Sequence, residues 1–91
     1  MRFAYAESFD KTIQSLNESQ SKKLLKAFQK FESSWEEDRI PLGAGLKHLR
    51  EDLFEFRVDI HARVLFQRKG DLIYYLLYGS HDDIRRFLKR L

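Results

Sequence analysis

The chain has no cysteine. That removes disulfides, thiolate metal sites and cysteine nucleophiles together, and it suits a reducing compartment. No apolar run approaches the roughly 20 residues that a membrane span requires. The opening stretch Met1-Arg-Phe-Ala-Tyr-Ala6 is short and runs into Glu7, unlike a signal peptide. The expectation is a soluble, cytoplasmic protein. Internal repeats, low-complexity segments and linkers are also missing. With 91 residues, the length allows one domain (1–91) and one modest core.

What is present is apolar and aromatic. Hydrophobic residues make up 43% and aromatics 14%, enough to fold rather than remain disordered. The formal net charge is +3. Residues 1–46 hold seven Lys+Arg against seven Asp+Glu, and residues 47–91 hold ten against seven, so the excess lies in the second half. A basic patch of that size suits an acidic or polyanionic partner. A charge of +3 is also ordinary for a solvated surface.

Periodicity orders the elements. Arg2–Tyr5 reads as a short strand. Ser8 is the expected cap of a first helix, with Phe9, Ile13 and Leu16 on one side. Asn17-Glu-Ser19 punctuates, and Ser19 or Ser21 is the expected cap of a second helix. There Leu24, Phe28, Phe31 and Trp35 form an apolar stripe, while Lys22, Lys23, Lys26 and Lys30 occupy the rest of the surface. The two helices are expected to pack on the sheet as a hairpin. Arg39 to Gly45 reads as a loop, because Pro41 pushes Ile40 away from helix and Gly43 and Gly45 loosen the chain.

Three strands follow, with a first reversal near His61 and a second at Arg68-Lys69-Gly70-Asp71. Phe54, Phe56, Val58 and Ile60 alternate with Glu55, Arg57 and Asp59, the period-two pattern of a strand with one buried and one solvated face. Leu72 to Tyr78 is apolar on both faces, as in an interior strand. Ser80 with Asp83 forms a capping box, and Ile84, Phe87, Leu88 and Leu91 give a last amphipathic helix. The expected fold is α+β in the order β-α-α-β-β-β-α, a small antiparallel-type sheet packed by a helical hairpin and a short C-terminal helix.

Arg57 and Arg63 on adjacent strands, with His81 at the start of the last helix, suggest a site for a phosphodiester. Arginine offers permanently charged donors in a fork that matches two phosphate oxygens. RNA is cleaved without metal when its 2′-OH is deprotonated, its 5′-oxygen is protonated and the phosphorane charge is held. Histidine is the side chain best suited to proton transfer near neutrality. With no cysteine and no His/Asp metal spacing, no cofactor and no metal are expected, leaving Asp82 and Asp83 as weak cation ligands at most. Plainer readings stand beside these. His81 is then only a cap or surface residue, His61 only a turn residue, and Arg57 and Arg63 pair across strands with Glu55 and Asp59.

Leu46-Lys-His-Leu-Arg50, Phe54-Glu-Phe-Arg-Val58, Ala62-Arg-Val-Leu-Phe66 and Tyr78-Gly-Ser-His-Asp-Asp83, in this order and spacing, resemble the RelE/ParE toxin superfamily of bacterial type II toxin–antitoxin systems. Gly79-Ser-His81 is most similar to its YafQ-type mRNA interferases. The resemblance implies a RelE-like fold and a toxin that inhibits translation as a ribosome-dependent, metal-independent mRNA endonuclease. A non-enzymatic inhibitor of DNA gyrase, as in the ParE branch, is the alternative. It implies two partners, a cognate antitoxin and mRNA on the ribosome. Arg57 then contacts the scissile phosphate, Arg63 supports its developing charge and His81 is catalytic. Lys47, His48, Arg50, Arg85 and Arg86 become candidates for contact with RNA or the ribosome. Two positions depart from the family: Glu55 stands where the founding nuclease has lysine, and Arg85 where it has tyrosine.

Overall fold

A computed structural model of the chain describes residues 1–35 and 45–91. The loop expected over Arg39–Gly45 therefore lies outside the described residues, Gly45 excepted. The elements are β1 (Arg2–Tyr5), α1 (Glu7–Ile13), α2 (Glu18–Ser33), β2 (Leu46–Arg50), β3 (Leu53–Arg57), β4 (Arg63–Lys69), β5 (Leu72–Gly79) and α3 (His81–Lys89). They build one five-stranded sheet in the order β1-β5-β4-β3-β2. The β2–β3, β3–β4 and β4–β5 pairs are antiparallel, and β1 adds to β5 in parallel. The α+β class and the RelE-like arrangement are those expected.

The sheet gains one strand over the expected order. The chain already reverses at Glu51–Asp52, so the stretch before His61 is a hairpin rather than one long strand. Glu51 takes a φ of 43°, and His48 Nε2 donates to its carbonyl at 2.6 Å, which holds the turn. A glutamate carries no turn signal in the sequence, since left-handed backbone usually falls to Gly or Asn. At the β4–β5 turn the signal is conventional, with Gly70 at a φ of 59°.

Two helix caps differ from expectation and one agrees. Ala6 precedes α1 without a side-chain cap, and Ser8 instead donates to the Leu76 carbonyl at 2.6 Å. Asn17 caps α2 in place of Ser19 or Ser21. Its side chain accepts from Gln20 N at 2.8 Å, and Gln20 Oε1 accepts from Asn17 N at 3.0 Å. Asparagine serves both turns and caps, and Gln20 three residues on completes the capping box. At α3 the Ser80–Asp83 box forms as read.

The core has two layers. On one face of the sheet, Phe9, Leu24 and Phe31 from α1 and α2 meet Leu46, Phe56, Val64, Phe66, Ile73 and Tyr75. Phe28 and Trp35 of the expected stripe are only partly buried there. Each large side chain so buried contributes about 1.5–3 kcal/mol. On the second face Leu53, Leu65, Leu76 and Leu77 lie under Ile84 of α3, together with Ala6, in keeping with the two-faced apolar run of β5 and the amphipathic last helix; only in β3 did the alternation mark this face as solvated. A bulge between Leu65 and Phe66 offsets the alternation, so that Leu76 and Leu77 both join this layer while Tyr75 and Tyr78 stay on the first.

Candidate functional site

Pairing register decides which polar side chains share the second face. Arg57 stands directly opposite Arg63, and Lys47 directly opposite Glu55. Residues in direct register point to the same side, as do residues two apart on a strand. Lys47, Glu55, Arg57 and Arg63 therefore occupy one face, beside the apolar patch beneath α3. Glu55 is 2% exposed and accepts from Arg63 Nη1 at 2.9 Å; the Arg63 side chain keeps 20% exposure. The expected solvated glutamate is thus a buried one.

Arg57 is exposed and, among the described residues, has no acidic partner. Asp59, a partner in the plain cross-strand reading, is engaged elsewhere. Its carboxylate accepts from His61 N and Ala62 N, both at 2.8 Å, and lies 3.6 Å from Lys23 Nζ. The His61 backbone N–H, ahead of the other influences, holds its pKa below the ordinary carboxylate value. His61 is a turn residue, as in the plainer reading. Like charges directly opposed across strands repel, so the Arg57–Arg63 pair works against stability.

His81 is the first residue of α3 and is exposed. Its place is set by the two residues before it. A Cβ on Gly79 would lie 2.8 Å from the Asp83 Cβ, so only glycine lets the helix turn in this closely. Ser80 then caps the helix, and its backbone N–H is the main cause that lowers the Asp83 pKa. Arg63 pairs with Gly79, which brings the start of α3 beside the basic face.

Residues 81, 85 and 88 form one flank of α3. Arg50 Nη2 donates to the Leu88 carbonyl at 2.8 Å, which ties the C-terminal end of α3 to β2. His81 and Arg85 are both exposed, and His81 follows two residues after the Gly79 that pairs with Arg63. The other named candidates lie apart. His48 packs against Phe54 with the rings tilted (4.7 Å between ring centres) on the opposite face of the sheet. Arg50 is spent on the end of α3. Arg86 pairs with Asp83 on the far flank, along a cleft of about 840 Å³ that Lys11, Lys23 and Arg90 also line. That cleft does not include Arg57, Arg63 or His81.

The plainer cross-strand reading anticipated a pairing of Arg63 with Glu55, but sequence reasoning missed the burial of Glu55. The signal needed was the β2–β3 register, which depends on the unmarked turn at Glu51. Among the described residues no group of three or more His, Cys, Asp or Glu side chains is placed to hold a metal ion. No described helix is long and apolar enough to cross a membrane.

No protein-family model and no curated protein matches the chain. Solved structures do. RelE in the RelB–RelE antitoxin–toxin complex of Methanococcus jannaschii aligns with a TM-score of 0.69 at 15% identity, over 92% of this chain and 96% of that one. A mutant of YafQ from E. coli gives 0.70 at 13% identity, over 92% and 98%. The YoeB/ParE toxin of Agrobacterium tumefaciens gives 0.64 at 14% identity, over 89% and 99%. The chain therefore has the fold of the RelE, YafQ and YoeB toxins.

Proposed function

We propose that this chain, folded as those toxins are, is the toxin of a two-component toxin–antitoxin system and cleaves messenger RNA presented by the ribosome. The observation that supports it best is the Arg57–Arg63 pair, two arginines in direct register on adjacent strands of a partly open face. Self-repulsion of this kind is relieved by an anion, and a phosphodiester fits two forks of donors.

In this reading the 2′-oxygen attacks phosphorus and the bond to the 5′-oxygen breaks. Arg57 and Arg63 hold the charge that grows on the non-bridging oxygens, the interaction that strengthens most in the transition state. His81, at the start of α3 two residues after the partner of Arg63, takes the 2′-OH proton or gives one to the leaving 5′-oxygen. Lys47 and Arg85 lie where the flanking backbone phosphates pass. Such chemistry runs on side chains and calls for no metal or cofactor.

RelE of Methanococcus jannaschii was solved with its antitoxin RelB. By analogy the partner here is a cognate antitoxin whose acidic or amphipathic segment folds as it binds and masks the basic face. Toxin and target would then meet in the cytoplasm.

Expression without an antitoxin tests the proposal. Growth and translation should stop, and messages should be cut only when ribosomes are present. Pulse-labelling that showed intact translation beside relaxed or cleaved DNA would move the target to gyrase.

A further inference from the structure

We infer that Glu55 is a positioning residue that fixes the Arg63 guanidinium for phosphate, a role that rests on the phosphodiester reading above. A carboxylate at 2% exposure sits beside Leu65 and Leu53, where an apolar side chain would be cheaper to bury. Among the described residues its side chain takes part in one hydrogen bond, accepted from Arg63 Nη1 at 2.9 Å. Arginine has five N–H donors, so this bond leaves Nη2 and Nε of Arg63 free to turn toward a ligand. Arg57 stands directly across from Arg63 and, in the absence of an anchor, would push it away. Glu55 supplies that anchor from below, at the same level as Lys47.

The charge count fits the same role. Three cations (Lys47, Arg57, Arg63) surround one carboxylate, so two positive charges remain uncompensated on the face. Glu55 thus restrains one arginine without neutralising the site. Being buried and already bonded, it is poorly placed to move a proton itself, which leaves that work to His81.

The test is single-turnover cleavage on ribosomes by Glu55→Gln, Glu55→Ala, Arg63→Ala and the Glu55→Ala/Arg63→Ala double variant. Arg63→Ala should lose on the order of 10²–10³ in rate, as when an oxyanion donor is removed. Glu55→Ala should lose much of the same factor. The double variant should be no slower than Arg63→Ala, because the two act as one unit. Glu55→Gln keeps an acceptor of weaker, uncharged kind and should stay within about tenfold of wild type.

The nitrogen resonances of the Arg63 side chain provide an arm independent of cleavage. Its guanidinium should rotate slowly in wild type and in Glu55→Gln, and freely in Glu55→Ala. Multiplying losses in the double variant would show that Glu55 supports the fold at large and overturn the inference. A Glu55→Gln protein as inactive as Glu55→Ala, with an altered pH profile, would make Glu55 a proton carrier instead. Wild-type protein that cuts nothing would remove the nuclease reading alone. The resonances would then still decide whether Glu55 restrains Arg63, and free rotation in wild type would refute it.

Discussion

The two faces of the sheet solve opposite problems. The face beneath α1 and α2 is closed by aromatic side chains: Phe31 packs within 4.7 Å of Phe56 and 4.9 Å of Phe66, and Phe28 within 4.7 Å of Tyr75, between ring centres. Within it the Tyr75 hydroxyl donates to Glu32 at 2.8 Å and burial pushes its pKa far up, while the Trp35 indole N–H is buried without a partner among the described residues. The face beneath α3 is closed over one half only. On the other half, repelling cations are kept next to a buried carboxylate. The first face is built for stability, and the second gives stability up for a charged surface that an anion completes.

Substitutions should separate the faces. Phe66, fully buried at the centre of the first layer, should cost about 3–5 kcal/mol on truncation to Ala, read as a lowered urea midpoint. Arg57→Ala is the counterpart. It should change stability by less than about 0.5 kcal/mol, or raise it by removing like-charge repulsion, as an exposed position allows. Cleavage should nonetheless fall by on the order of 10²–10³. If Arg57→Ala proved strongly destabilising, the division between the faces would fail.

Gly79 links the two. An added methyl there would strike Asp83 at 2.8 Å, so Gly79→Ala should cost about 1–3 kcal/mol and displace the start of α3, lowering both melting temperature and cleavage. The smallest effect is electrostatic. Because the folded-state pKa of Asp83 lies below its ordinary value of 3.8, its contribution is complete above that value and fades as pH falls through it. With the side chain 45% exposed, that contribution should stay under about 1 kcal/mol. The stability gap between wild type and Asp83→Asn should accordingly hold at neutral pH and narrow once the pH is taken below about 4 in urea titrations.

Much of this layout was legible in the residues. Period-two alternation located β3, the run Leu72 to Tyr78, apolar on both faces, located β5, the four-three-four spacing of Leu24, Phe28, Phe31 and Trp35 located α2, and Ser80 with Asp83 located the start of α3. Three things were hidden, each for a physical reason. Glu51 adopts left-handed backbone without being Gly or Asn, so the β2–β3 turn gave no sign. That the last helix packs on the sheet was expected, but that it covers Leu53 and Leu65 is a tertiary outcome that the alternation of β3 does not encode. Burial of Glu55 follows from both. The arginines could be named as candidates, but their direct opposition awaited the register. His48, adjacent to Lys47 in sequence, falls on the other face by the same pleat.

The account's central claim is that the half-open face performs proton-transfer chemistry on a bound phosphodiester, with His81 moving the proton. The pH dependence of message cleavage on ribosomes by wild type and His81→Gln tests it most directly. The account expects a fall of roughly 10²–10⁴ in rate and a flattened limb near neutrality, with unfolding unchanged because His81 is exposed. Full activity of His81→Gln with an unaltered profile would contradict it, and would reduce the histidine to the first residue of a helix.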